Sequence, residues 1–235
     1  MFRNFLKILL FVLLFSTAVL AKGELKLVAP GGGEVDLQKN VMRYYADGSN
    51  LVVADWGNFK LEAESLEYQN EKGTLQGKGK IKLTQKEPYR ELRSEQFLAD
   101  LNRDHFNANG SVKIKYDNIT NLSGEQMDWE SQTEEFNIIG NVVLNYSGWK
   151  MTGEKIEGNM NSGLFVIFGP VQAIDRENSM RAGRVIFDRS IERVTLLENP
   201  VVINGKNELS GAEIIYDLKT KKVSASGVVK SRVIE

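Results

Sequence analysis

The chain has 235 residues, no cysteine, a single histidine and a formal charge of −1. These counts exclude disulfide frameworks, thiolate nucleophiles and cysteine-based metal sites, and the near-neutral balance gives little support to a nucleic-acid partner. With 21 glycines against only 4 prolines, and no long helical pattern, the composition fits one extended β domain.

Met1–Ala21 reads as a secretory leader. Arg3 and Lys7 give a positive start, Ile8 to Phe15 is an unbroken apolar run, and Ala18-Val-Leu-Ala21 is a small-residue cleavage site. Cleavage after Ala21 is expected and takes the charge from −1 to −3. The alternative is an uncleaved anchor, since the apolar stretch approaches the ~17 residues of a short span. A lipoprotein anchor would need a cysteine. Either way the leader exports the chain across the inner membrane into the periplasm, free if cleaved and membrane-anchored if not.

Residues 22–60 read as a degenerate first repeat capping the stack. Pro30-Gly-Gly-Gly33 is a turn-forming lead-in, and Val35 to Val41 echoes Tyr216 to Val223 near the other end.

Residues 61–235 carry six copies of one unit. Phe136-Asn-Ile-Ile-Gly-Asn-Val-Val-Leu144 alternates apolar and polar residues around a central glycine, as a half-buried strand does. Its equivalents centre on Gly79, Gly110, Gly140, Gly169, Asn199 and Gly227, close to 30 residues apart. Two residues after each centre stand Ile81, Val112, Val142, Val171, Val201 and Val229. A second strand precedes each, as in Leu61-Glu-Ala-Glu-Ser-Leu-Glu-Tyr68, where the inward positions slip by one residue at the middle. Such a slip marks a bulge or corner, and a glycine halfway along the other strand suits the same bend.

Each strand is therefore expected to be creased, with its halves in two facing sheets. Short polar turns such as Gln69 to Gly73 favour antiparallel neighbours. The predicted fold is all-β: an elongated, twisted β-jelly-roll of about fourteen creased antiparallel strands. A parallel β-helix is the alternative. Asp100, Asp188 and Asp217 recur at turns, where a carboxylate bonds nearby backbone N–H groups.

No catalytic constellation, phosphate loop or metal-ligand spacing appears, so no enzyme activity and no cofactor are expected. His105, beside Asp104 in a polar turn, reads as a surface residue. What can carry function is the interior. Phe106, Phe136, Ile138, Val142, Leu144, Phe165, Ile167, Val171, Leu197 and Val201 form inward ladders. They either fill a dry core or line a slot for acyl chains, in which each buried methylene contributes ~0.8 kcal/mol. The small inward residues Gly77, Ala108, Gly124, Gly153, Ala182, Gly211 and Ala225 favour the slot.

Gly140-Asn-Val-Val-Leu144 and Leu209-Ser-Gly-Ala-Glu-Ile-Ile-Tyr-Asp217, with their copies over Leu61 to Val229, resemble the OstA-like family of LptA-type lipopolysaccharide transport proteins. The resemblance implies a twisted jelly-roll whose groove holds lipid A acyl chains. It also implies head-to-tail self-association into a bridge from an inner-membrane exporter to an outer-membrane translocon, for outer-membrane assembly. The ladders named above would then be the lipid-binding residues and the edge strands the joints. The related LptC-type proteins keep an N-terminal anchor and are the alternative within that class. A structural β-solenoid and a glycan-active β-helix are alternatives outside it.

Overall fold

A computed structural model describes residues 18–20 and 23–233, with side chains from Glu24 onward. The leader read from the sequence lies outside the described residues, apart from Ala18–Leu20. The N-terminal end is built from β1 (Ala18–Leu20), β2 (Gly23–Val28), β3 (Gly33–Asp36), β4 (Val41–Tyr45), β5 (Val52–Trp56), β6 (Phe59–Ala63) and β7 (Ser65–Gln69). Eight long strands follow: β8 (Thr74–Gln85), β9 (Arg90–Asp100), β10 (His105–Lys115), β11 (Thr120–Glu130), β12 (Glu135–Tyr146), β13 (Trp149–Asn159), β14 (Leu164–Ile174) and β15 (Asn178–Asp188). The C-terminal end is β16 (Arg193–Leu197), β17 (Val201–Asn204), β18 (Asn207–Ser210), β19 (Glu213–Asp217), β20 (Val223–Ser226) and β21 (Lys230–Val233).

Every pairing is antiparallel, so the meander holds and the parallel β-helix does not. The short segments are halves of interrupted strands. β6 and β7 pair with the two halves of β8, while β16 and β17 pair with the two halves of β15. β2–β3, β4–β5, β6–β7, β16–β17, β18–β19 and β20–β21 are such pairs. With the eight continuous strands they make fourteen, preceded by β1. Each long strand thus crosses from one half-sheet to another.

The crossing is the predicted crease. Register slips in β8, β10, β12 and β14 fall at Gly79, Gly110, Gly140 and Gly169, all with positive φ. In three of these the next residue, Lys80, Ser111 or Asn141, is also left-handed. Two left-handed residues in a row turn the strand, and the slip returns the apolar row to the inside. Opposite each glycine stands a glutamate. A Cβ on Gly140 would lie 2.8 Å from the Glu125 Cβ, and Gly79, Gly110 and Gly169 face Glu64, Glu95 and Glu154 in the same way. The residue after the glycine holds that carboxylate where it can: Lys80 pairs with Glu64 at 2.8 Å, and Asn141 Nδ2 donates to Glu125 at 2.6 Å.

The fifth copy corrects the sequence reading. Its centre is Glu198, not Asn199, because the glycine has moved to the partner strand. Gly183 faces Glu198, whose φ is 65°. The inward residues are therefore Val194, Leu196, Pro200 and Val202, all buried. Leu197 and Val201, expected on the ladder, sit one residue out of phase and are only half-buried.

The turns follow the expected chemistry. Asp100, Asp188 and Asp217 each accept a backbone N–H two or three residues on. These turns line one rim of the stack, and Asp117 and Asp175 do the same at the opposite rim.

The crease predicts a contrast between two glycines. Gly140→Ala is expected to cost about 2–3 kcal/mol, since it adds a contact with Glu125 to the penalty of a left-handed alanine. Gly148→Ala, at φ 90° in an open turn, should cost only about 1 kcal/mol. Urea denaturation measures both, and equal losses would show that the crease does not need its glycine.

Candidate functional site

The interior between the two half-sheets is one continuous apolar cluster from Leu25 to Tyr216. Phe106, Phe136, Ile138, Val142, Leu144, Phe165, Ile167 and Val171 all lie in it, buried, from neighbouring rungs. Their ladder brings rings together: Phe136 and Phe165 meet at 5.6 Å, and Phe165 and Phe187 at 6.0 Å. Trp56, Phe59, Phe97, Phe106 and Trp129 form a second aromatic cluster toward the N-terminal end.

The small inward residues do not leave a slot. A Cβ on Gly124 would meet the Ile138 Cγ2 at 2.4 Å, and one on Gly153 the Ile167 Cγ2 at 2.6 Å. Beside Gly77 lie Ile81 and Leu66. The glycines make room for branched side chains of the adjoining strand, so along the middle of the stack the protein fills its own interior.

The two rims meet over this interior and are joined by polar groups. Arg90 Nη1 donates to Glu134 Oε2 at 2.6 Å, with side chains only 8% and 11% exposed, and to Gln85 Oε1 at 3.2 Å. The Tyr116 hydroxyl donates to the Met160 carbonyl. Arg90 and Arg189 both lie against the Tyr116 ring, 4.8 and 4.6 Å from its centre, and Arg189 is also paired with Asp117. The Tyr146 hydroxyl donates to Glu192 at 2.9 Å, and Trp149 packs on Tyr216. A cation against an aromatic face gains strength as water is excluded, and a buried arginine is tolerated because it is paired.

The rim residues were not read from the sequence as a set. A partial signal exists: Gln85, Tyr116 and Tyr146 each end the inward row of successive copies with a polar tip where the pattern otherwise demands an apolar residue.

At the C-terminal end the rims part. Val202 and Leu209 of one half-sheet and Val223 of the other line a cleft of about 350 Å³ with Asn204, Asn207 and Val233. Register places these side chains on the inward side: Val202 pairs with Leu209, and Val223 with the buried Tyr216. Val223 is 38% and Val233 68% exposed, so the apolar interior reaches solvent here. Two further concavities, about 430 and 450 Å³, lie on the outer face and are lined largely by polar side chains such as Gln96, Asn107, Gln126 and Glu157. His105 lies at the surface with Nε2 2.9 Å from Asp128 Oδ1.

Burial, with the Glu192 carboxylate accepting its proton, pushes the Tyr146 hydroxyl up to about 12. Burial raises Tyr68 and Tyr216 as well. A tyrosine in the unfolded chain ionises near pH 10, so the folded chain holds more protons above that point. The stabilisation is complete below pH 10 and is lost as pH rises toward 12. Tyr146 alone contributes on the order of 2 kcal/mol by this route. Denaturation midpoints measured from pH 8 to 12 should fall steeply above 10, and Tyr146→Phe should flatten part of that fall.

Residues 52–164 match the family model described as the LptA/(LptD N-terminal domain) LPS transport protein. Among solved structures the chain is similar to LptH, the LptA-homologous periplasmic component of the lipopolysaccharide transport device of Pseudomonas aeruginosa. The identity is 16%, the TM-score 0.45, and the match covers 48% of this chain and 94% of that one. No curated protein matches. The matched segment holds the first three creased copies, and the same crease, with glycine and glutamate facing across the ladder, continues beyond it to Gly183 and Glu198. The likeness to the LptA/(LptD N-terminal domain) family thus spans residues 52–164, a little under half of the chain.

Proposed function

We propose that this protein is a periplasmic carrier of lipopolysaccharide, holding lipid A acyl chains between its half-sheets. The observation that carries the reading is the apolar interior that opens at the C-terminal cleft, where Val223 and Val233 reach solvent beside Val202 and Leu209. The family description supplies the lipid. Acyl chains are recognised by apolar area alone, so a continuous row of branched and aromatic side chains is enough to hold them. Phe106, Phe136, Ile138, Val142, Leu144, Phe165, Ile167 and Val171 are the residues the chains would meet once the interior opens.

A charge at Ile138, which is 0% exposed, would unfold the protein, so the test belongs at the cleft. Leu209→Glu is expected to weaken lipid A binding at least tenfold in native mass spectrometry, about 1.4 kcal/mol, with folding retained. Ile139→Glu, on the outer face, should leave binding unchanged. Equal binding by both variants and the parent would count against the carrier reading.

The ends support assembly. Among the described residues β3 pairs only with β4, β20 only with β19, and β21 only with β18. Each offers a free row of backbone N–H and C=O groups, which a further strand can extend. Head-to-tail joining would align successive interiors into a bridge between the exporter and the translocon. Light scattering should show the mean mass rising with concentration, and a flat monomer mass would rule the joint out.

A further inference from the structure

The closed rims pose a problem for any carrier, because cargo must pass them. Two of the groups that close them are arginines gathered on one ring. Arg90 and Arg189 lie 4.8 and 4.6 Å from the centre of Tyr116, and each is neutralised by a carboxylate across the seam, Glu134 and Asp117 respectively. The members of each pair come from opposite rims, so the ion pairs are the closure itself. They are graded in access. The Arg189–Asp117 pair is 27% and 33% exposed, while Arg90–Glu134 lies deeper at 8% and 11%.

Behind Arg90 the packing is incomplete. A void of about 10 Å³ lies there, lined by Leu83, Ile114, Met127, Met160 and Trp129. Two of these are methionines, which repack most readily, and the Trp129 indole N–H is buried with no hydrogen-bond partner. Guanidiniums at the edge of an apolar interior suit one class of ligand: an amphiphile with phosphate at its head and acyl chains behind it. Each arginine gives its carboxylate one Nη1 hydrogen bond, and a phosphate oxygen can accept that bond in its place, with the second nitrogen of the fork available for a parallel one.

We propose that Arg90, Arg189 and Tyr116 form a phosphate-headgroup site that doubles as the latch of the seam. Phosphate displaces Asp117 from Arg189 and then Glu134 from Arg90. The rims are released, and the acyl chains enter over Met127 and Met160. This rests on the lipid-carrier reading above and adds to it the site, the headgroup chemistry and the place of entry.

The test compares diphosphoryl lipid A with its dephosphorylated form by native mass spectrometry of the full chain. The wild type is expected to bind the phosphorylated form at least tenfold more tightly. The neutral-pair variants R90Q/E134Q and R189Q/D117N keep a hydrogen-bonding partner on each side, so that folding, checked by circular dichroism, is retained. Each should bring the ratio toward one. E134Q/D117N, which frees both arginines, should raise it. A wild type that binds both lipids equally, or folded neutral-pair variants that keep the preference, overturns the headgroup site while leaving the carrier reading intact. A wild type that binds neither lipid overturns the carrier reading itself. Inorganic phosphate at millimolar concentration should not compete, because it brings no acyl chains; Arg-dependent competition by it would mark a free-anion site and overturn the entry mechanism.

Discussion

The fold depends on a close approach at the middle of each strand pair, where a side chain on one strand fills the space a Cβ would need on the other. In four copies the glycine is Gly79, Gly110, Gly140 or Gly169 and the facing residue is a glutamate; at Gly183 and Glu198 the roles are exchanged between the strands. Without a slip in register, an alternating strand that bends through a corner would carry its apolar row to the outside. The slip at the crease keeps Phe136 and Ile138 inside on one half-sheet and Val142 and Leu144 inside on the other. The glutamates remain exposed along the outer corner, where a carboxylate costs nothing to solvate.

This local rule is why so much of the architecture was legible. The 30-residue period, the crease, the two facing half-sheets and the aspartate turns all arise from residues a few positions apart, where sequence pattern reports directly on geometry. The one register error has the same origin. In Leu197-Glu-Asn-Pro200 there is no glycine to mark the centre, and Glu198 and Asn199 are both left-handed. Asparagine is the commoner left-handed residue, but the glycine that settles the register stands on the neighbouring strand at Gly183. A small residue opposite a glutamate would have identified it.

The rim contacts were not legible, because they are set by the cumulative twist of the stack rather than by any single unit. Arg90 meets Glu134, Tyr116 meets Met160 and Tyr146 meets Glu192, with separations of 44 to 46 residues. That is one and a half repeats, an offset no repeat alignment puts side by side. The same omission explains the misreading of the inward glycines. Counted along one strand they look like vacancies, whereas across the ladder Gly124 and Gly153 are the positions into which Ile138 and Ile167 pack.

The full interior constrains the proposed carrier differently from an empty slot. On that proposal, entering acyl chains would displace Ile138, Phe165 and their neighbours from contact with one another, and each methylene exposed on one side would be matched by about 0.8 kcal/mol for a methylene buried on the other. The exchange of apolar contents is therefore close to neutral. What resists it is the set of polar closures, which do not find equivalents in an acyl chain. These closures are unevenly placed. They run from Arg90 to Glu192, pass to the ring contact of Trp149 on Tyr216 and the solvent-exposed Lys221–Glu177 pair, and give way to the open cleft at Val202, Leu209 and Val223. Opening that begins at this end meets only that exposed pair, which contributes little, in the first rungs and Tyr146–Glu192 next, with Arg90–Glu134 the deepest of the barriers. The distribution of polar contacts along the seam thus gives a stack of near-identical repeats a preferred end from which to part.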